Sequence, residues 1–173
     1  MKVAYFTEMG WEGKIDRTTH NNMRTEFAWM SSLNADHYHI GSELTQDYDL
    51  GVVIIPKTNP DINLDRIKQH CKKIAIQQEG PHWYFQDYSI THQFHFHNHL
   101  MEADYIFVHN ESDKKYYRGI TSKPVFVMRS LMLTDGLLPR SESGGDVIIG
   151  GNFVSWYGGF DSYMVASVFQ PEA

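Results

Sequence analysis

Two titratable side chains, Glu79 and His82, flank the turn-forming pair Gly80-Pro81 in a short loop, and the aromatic residues Trp83 and Tyr84 follow directly. A carboxylate or an imidazole in such a loop can take a proton from a hydroxyl nucleophile. The aromatic rings can stack on the apolar face of a sugar. The pattern predicts a catalytic site at Glu79 and His82, with the two aromatic residues binding substrate. The alternative is that Gly80-Pro81 only forms a turn and that the aromatic residues cover the end of a sheet.

A second candidate loop follows the first strand-like run, residues 2–7, and contains Glu8, Gly10, Trp11 and Gly13. Glycines after the first strand of a doubly wound sheet let a ligand approach the backbone closely. Their spacing is not GxGxxG, so the dinucleotide-binding fingerprint is absent and the pattern by itself is weak. We predict that these four residues contribute to substrate binding, with Trp11 as a further stacking ring.

Four histidines lie within residues 92–99. On a helix, His92, His95 and His99 share one face, and such a triplet can ligate zinc. No carboxylate or cysteine partner stands at a matching spacing. The alternative is a solvated helix face with His97 near the core. We therefore predict no metal site and keep the three facing histidines as weak metal candidates.

A glycine-rich stretch near the end of the chain, with Gly150, Gly151 and Asn152, resembles a loop that cradles phosphate before a helix begins. No Lys or Arg occurs from Gly144 to Ala173, so an anion there would depend on backbone N–H groups and the helix dipole. We predict donor-phosphate binding at these three residues. Alternatively, the glycines form tight turns at a domain join.

The elements that must position these residues are apolar runs separated by helix-length segments. Continuous apolar runs are typical of strands buried on both faces, and parallel neighbours need a crossover of about a dozen residues. The pattern predicts an α/β fold: a Rossmann-like, doubly wound, mostly parallel sheet with helices on both faces. Strands are predicted at residues 2–7, 36–40, 50–55, 73–79, 105–109, 125–128 and 146–150.

The predicted strand order is 3-2-1-4-5, in which the order reverses between the first and the fourth strand. Ligands of open α/β sheets bind at such a switch point, outside the carboxyl ends of the strands. The loops at that point are residues 8–13 and 79–83, so the two candidate loops are predicted to form one site.

The chain is predicted to comprise a Rossmann-like domain at residues 1–129, a linker at 130–145 and the start of a second α/β domain at 146–173. This second domain has one strand, a glycine-rich loop and the start of a helix. We therefore expect the chain to be a fragment, or a domain that another chain completes. An incomplete second domain would expose apolar surface and favour homo-oligomers.

Composition restricts the class of protein. The net charge of −6 and the absence of a Lys/Arg run argue against a nucleic-acid partner. The single cysteine, Cys71, excludes an internal disulfide and fits a reducing compartment. No apolar run reaches the roughly 18 residues of a membrane span, and the N-terminus lacks a signal-peptide pattern. These features predict a cytoplasmic protein without a membrane span.

Three segments carry a resemblance to a known family: residues 2–6 with the glycine-bearing loop after them, Ala103-Asp-Tyr-Ile-Phe-Val-His-Asn-Glu-Ser-Asp113, and Lys123-Pro-Val-Phe-Val-Met128. They resemble the N-terminal domain of GT-B glycosyltransferases of the phage or bacterial type. The segment Val147-Ile-Ile-Gly-Gly, which begins the predicted second domain, is similar to the start of the second domain in that family. The resemblance covers the length of the chain through short, moderately specific segments.

The resemblance implies transfer of a sugar from a nucleotide-sugar donor to an acceptor hydroxyl, without an obligatory metal or other cofactor. The N-terminal domain would hold the acceptor, a carbohydrate or another hydroxyl compound, with Glu79 or His82 where a base is expected. The sequence departs from the family pattern twice. Asn152 and glycines replace the Arg and Lys that often meet the donor diphosphate, and the carboxylate motif for the donor ribose or sugar would lie beyond Ala173.

A function from another class remains open, namely a non-catalytic Rossmann-like module that binds carbohydrate or nucleotide. Coding sequence that continues in frame after Ala173 for on the order of 150 residues would favour the enzyme. A stop codon there would favour the binding module.

In the full-length enzyme, we expect His82→Ala to lower turnover by roughly 10²–10⁴, the usual range for loss of a general base. The imidazole has an ordinary pKa of about 6.5, closer to neutral pH than a carboxyl group at about 4.3. Glu79→Gln should weaken acceptor binding more than turnover. Steady-state kinetics measure both effects. Near-wild-type turnover of His82→Ala would reject His82 as the base. A large loss of turnover in Glu79→Gln alone would make Glu79 the base instead.

Overall fold

A computed structural model describes residues 1–17, 25–56, 59–78 and 88–133. The chain divides into two units, Met1–Gly136 and Leu137–Ala173, and all described residues belong to the first. The predicted second domain, its strand at 146–150 and most of the predicted linker lie outside the described residues. The domain boundaries therefore stay a prediction.

Six strands form one sheet, and every neighbouring pair is parallel. Its architecture confirms the prediction of a Rossmann-like, doubly wound sheet. The six predicted runs that fall in the described part each became a strand, with ends that differ by one or two residues. The strands are β1 (Val3–Thr7), β2 (Asp36–His39), β3 (Leu50–Ile54), β4 (Ile74–Gln77), β5 (Tyr105–Val108) and β6 (Val125–Val127).

Helices cover both faces of this sheet: α1 (Thr25–Ser32), α2 (Leu64–Lys68), α3 (Ile90–Glu102) and α4 (Glu111–Ile120). On one face, Phe27 and Met30 of α1 pack in a core with Val3, Tyr5 and Val52. The other face carries the remaining helices, because their buried side chains share a second core with β3, β4 and β5. These side chains are Leu64, Ile67, Phe96, Leu100 and Tyr117.

The helices α2, α3 and α4 each begin after a capping side chain. Asn63 Oδ1 accepts a hydrogen bond from the backbone N–H of Arg66 at 3.2 Å. Ser89 and Asn110 cap α3 and α4 in the same way, through bonds to the N–H groups three residues on. Local chemistry therefore fixes the start of each helix that follows β3, β4 and β5.

The strand order differs from the prediction. The observed order is β2-β1-β3-β4-β5-β6, so β3 pairs with β1 and not with β2. The physical reason lies in burial: β2 contains Asp36, His37 and His39 and has half-exposed positions, which suit an edge strand, whereas Gly51–Ile54 of β3 is buried throughout. The point where the order reverses is therefore between β1 and β3, and the prediction that it lies between the first and fourth strands is wrong.

Close packing at Gly51 holds β3 in its central position. A Cβ added there would lie 2.8 Å from Cys71 Sγ and 3.1 Å from Ile74 Cδ1. Cys71 and Ile74 are themselves buried, so neither can move aside into solvent. Glycine lets the segment before β4 lie against β3.

We therefore expect Gly51→Ala to lower the free energy of unfolding by about 1–3 kcal/mol through overpacking. Gly119→Ala is the matched control, because Gly119 lies in α4 with nothing within 4 Å of an added Cβ. That change should raise stability by about 0.5–1 kcal/mol through helix propensity. Urea unfolding measures both. An unchanged free energy of unfolding in Gly51→Ala would contradict the packing argument. So would a double variant, Gly51→Ala with Cys71→Ala, whose loss of stability equals the sum of the two single losses.

Candidate functional site

The carboxyl ends of the parallel strands form one edge of the sheet, and ligands of such folds bind there. The described residues at this edge include Thr7 at the end of β1, Gln77 and Gln78 at the end of β4, and His109 after β5. Ile54 of β3 pairs with Gln77, which in turn pairs with Phe107 of β5. Polar side chains thus appear where three central strands end.

The loop after β1 is fixed to the edge strand. Gly13 and His37 exchange two backbone hydrogen bonds, with N···O distances of 2.9 and 2.8 Å. Gly13 has a φ of 111°, which side-chain-bearing residues rarely adopt, so glycine is needed there. The predicted substrate-binding residues Glu8 and Gly10 are exposed. The loop is therefore anchored to β2 at Gly13, while Glu8 and Gly10 are exposed to solvent.

Trp11, the predicted stacking ring, is half-buried and packs against the protein. Its ring lies 4.1 Å from that of His37, centroid to centroid, and 5.6 Å from that of Phe27, in an edge-on arrangement. His37 is buried and its Nε2 lies 2.7 Å from the hydroxyl of Thr7, which also accepts a hydrogen bond from Met9 N–H. Part of the indole surface is thus already used to anchor the loop.

The other predicted loop lies outside the described residues. It contains the predicted catalytic residues Glu79 and His82 and the predicted substrate-binding residues Trp83 and Tyr84. The structure follows the chain up to Gln78, whose backbone N–H donates to Phe107 O at 2.8 Å. The switch point lies between β1 and β3, and this loop follows β4, one strand beyond it. The prediction that both candidate loops lie at the switch point is therefore wrong. The predicted donor-phosphate residues, Gly150, Gly151 and Asn152, also lie outside the described part.

Three side chains at the ends of β4 and β5 have polar atoms that are buried and unsatisfied; we name Gln77, Gln78 and His109 the polar rim. Gln77 and Gln78 are only 4 % and 2 % exposed. Gln77 Oε1, both carboxamide atoms of Gln78 and His109 Nδ1 find no hydrogen-bond partner in the part of the chain that the structure describes. A buried polar group left in this state typically costs about 1–3 kcal/mol. Proteins retain such groups mainly where a ligand, water or ion completes them.

The sequence contained a signal for the polar rim that our predictions did not use. Ile74, Ala75 and Ile76 are apolar and buried, and the run then ends in two consecutive glutamines. A strand buried on both faces has no solvated side for polar residues. A polar pair at the carboxyl end of such a run therefore indicates a site at the edge of the sheet.

The predicted metal candidates do lie on one helix, α3, but in different surroundings. His92 is exposed, His95 Nδ1 lies 3.5 Å from Asp61 Oδ1, and His99 is buried, with Nε2 donating to Pro60 O at 3.0 Å. The buried histidine is thus His99 and not the expected His97. Within the described ranges, no group of three or more His, Cys, Asp or Glu residues is arranged to hold a metal ion.

An acidic groove between α2 and α3 is already neutralised in part. It is lined by Asp61, Asn63, Asp65, His99 and Glu102. Lys68 Nζ lies 3.0 Å from Glu102 Oε2 and 3.4 Å from Asp65 Oδ1, so one ammonium bridges two of the carboxylates. Lys68 therefore links α2 to α3 and neutralises part of the negative charge of the groove.

Comparison of the chain with protein-family models, with curated proteins and with solved structures finds no match. Among the described residues, no helix has the length and apolar character needed to cross a membrane. The functional argument therefore depends on the chemistry at the carboxyl edge of the sheet.

We expect His99 to make stability depend on pH. Burial lowers the pKa of His99 below its ordinary value, so the folded protein keeps this imidazole neutral at a pH where the unfolded chain protonates it. The free energy of unfolding should fall as pH decreases below about 6.5. Unfolding at pH 7.5 and 5.5 should show a smaller decrease for His99→Gln than for the wild type. The exposed-site control His92→Gln should keep the wild-type decrease, and equal slopes for all three proteins would contradict the assignment.

Proposed function

We propose that this chain is the acceptor-side part of a GT-B-type glycosyltransferase, which moves a sugar from a nucleotide-sugar donor to an acceptor hydroxyl in the cytoplasm. The observation that carries the proposal is the polar rim, because its unsatisfied groups lie at the carboxyl edge where such sheets bind ligands. Gln78 directly precedes Glu79, the first residue of the loop with the proposed catalytic groups.

The segments that resemble the family support the proposal through their fold. The run at Ala103–Asp113 contains β5, the cap Asn110 and the first turn of α4, and Lys123-Pro124 leads into β6. An all-parallel, doubly wound sheet is the architecture that a GT-B half requires. The fold alone does not imply the activity, since doubly wound sheets carry many functions.

In the proposed reaction, the acceptor binds at the carboxyl edge of the sheet and a group from the loop after β4 removes the proton. The hydrogen bond from the backbone N–H of Gln78 to Phe107 O fixes the position of Gln78. The chain therefore leaves the sheet at a defined point before the proposed catalytic residues. His82 is proposed as the general base, and Glu79 as the group that holds an acceptor hydroxyl or orients the imidazole. Backbone N–H groups at Gly150, Gly151 and Asn152 are proposed to meet the donor phosphates, with no obligatory metal.

A non-catalytic module that binds carbohydrate or nucleotide is the second candidate. The two carboxamides at the end of β4 favour it, because carboxamides bind hydroxyl groups without supplying a base. Both candidates use the same edge of the sheet. They differ in whether nucleotide is released from a nucleotide sugar.

The test is a nucleotide-release assay on the full-length product of the gene, with a panel of UDP-, GDP- and ADP-sugars and simple glycoside acceptors. The enzyme predicts release that increases with acceptor and falls by roughly 10²–10⁴ in His82→Ala. His92→Gln is the control, because His92 is an exposed residue of α3, outside the proposed catalytic loop and rim. Glycoside binding without nucleotide release from any donor would reject the transferase and favour the binding module.

A further inference from the structure

The outward side of α3 carries a line of apolar side chains. Ile90, Phe94 and Met101 are 85 %, 63 % and 41 % exposed. Together with the half-buried His97, they stand at positions i, i+4, i+7 and i+11, a spacing that places side chains on one face of a helix. We name these four residues the outer stripe. The stripe runs roughly 17 Å along the helix.

The opposite side of the same helix is already packed. Phe96, His99 and Leu100 of α3 are buried, and the two apolar members of this set belong to the core that α3 shares with the sheet. A surface helix normally combines one apolar face with a polar one. Because α3 is apolar on two sides, the outer stripe adds little to the core of a single copy.

The helix is also almost free of charge. No Asp, Glu, Lys or Arg occurs from Ile90 to Met101, although 21 % of the residues in the chain are charged. Glu102, at the end of α3, lies 3.0 Å from Lys68 Nζ. The stripe therefore offers no charge complement to a strongly acidic or basic partner. Helices that lie on a membrane surface typically have Lys and Arg on their polar face, and α3 has neither.

We propose that the outer stripe is a contact between two copies of this chain, with their α3 helices antiparallel. The intervals within the stripe are four, three and four residues, which read the same in both directions. About a twofold axis, Ile90 of one copy lies beside Met101 of the other, and Phe94 lies beside His97. The same patch thus serves both copies, as a twofold contact requires. Intervals of three and four residues also match the seam of a helix pair.

The exposed area sets the strength of this contact. With about 150–250 Å² for each of the three large side chains, the exposed fractions of Ile90, Phe94 and Met101 give on the order of 300–500 Å² per copy. A standard interface buries about 800 Å² per partner. Even interfaces of that size extend down to micromolar affinity. The smaller contact at α3 is therefore reversible and dissociates at micromolar concentrations or above.

The contact does not depend on the proposed transfer activity. It also lies on a different surface from the one that the sequence suggested, since homo-oligomers were expected from an incomplete second domain. The outer stripe belongs to the first unit.

Sedimentation equilibrium of the full chain, from low micromolar to near-millimolar concentration, tests the contact. We expect the average mass to rise from one copy towards two, and Phe94→Ser to raise the dissociation constant by about tenfold or more. Phe126→Ser is the matched control, because Phe126 is a 50 % exposed aromatic residue on β6, and it should associate like the wild type. A wild type that stays monomeric, or that binds neutral lipid vesicles without self-association, overturns the proposal. So does equal association of Phe94→Ser and the wild type.

Two charge variants test the antiparallel arrangement. Phe94→Lys and His97→Glu should each be monomeric alone, because each would place two charges in the apolar seam. In an equimolar mixture, the new ammonium of one copy lies beside the new carboxylate of the other. The mixture should therefore associate at concentrations at which either variant alone is monomeric, and a mixture that stays monomeric rejects the arrangement.

Discussion

Burial of the central strands on both faces is the constraint on which the rest of this structure depends. Every residue of β1 and β4 is buried, as are the last four of β3. Along such strands neither face of the sheet is solvated, so carboxamide and small hydroxyl side chains are expected mainly at the strand ends. Thr7, Gln77 and Gln78 obey this rule. The polar groups that remain at the carboxyl edge are consequently few, and each requires a partner.

The two ends of the sheet satisfy their polar groups differently. At the amino ends, carboxylates accept hydrogen bonds from the backbone. Asp104 accepts from Ile74 N–H and from Lys73 Nζ, and Asp49 accepts from Lys2 N–H. Burial would raise the pKa of Asp104, but the hydrogen bonds from Lys73 and Ile74 lower it, so the carboxylate stays ionised. At the carboxyl edge, the ends of β1, β4 and β5 carry a hydroxyl, two carboxamides and an imidazole. Such groups can bind hydroxyl-bearing ligands, and this chemistry underlies the proposed acceptor site.

The β1 and β4 ends of that edge also differ in how complete they are. Around Thr7, the hydroxyl accepts a hydrogen bond from Met9 N–H and shares another with His37 Nε2, and Trp11 packs on the His37 ring. The aromatic ring therefore serves the fold more than the sequence suggested. Among the described residues, the side-chain carboxamide of Gln78 has no hydrogen-bond partner. The difference moves the centre of the candidate site from the glycine-bearing loop to the end of β4.

The sequence by itself determined the elements of this protein. Apolar runs and crossover lengths are local features, and they predicted the parallel α/β fold correctly. Strand order is set by non-local pairing, which periodicity does not encode, so only the tertiary structure placed β3 beside β1. Satisfaction of polar atoms is equally non-local. The sequence displayed two glutamines after Ile76, but only the packed sheet decided that Gln77 Oε1 and both carboxamide atoms of Gln78 are buried without a partner among the described residues.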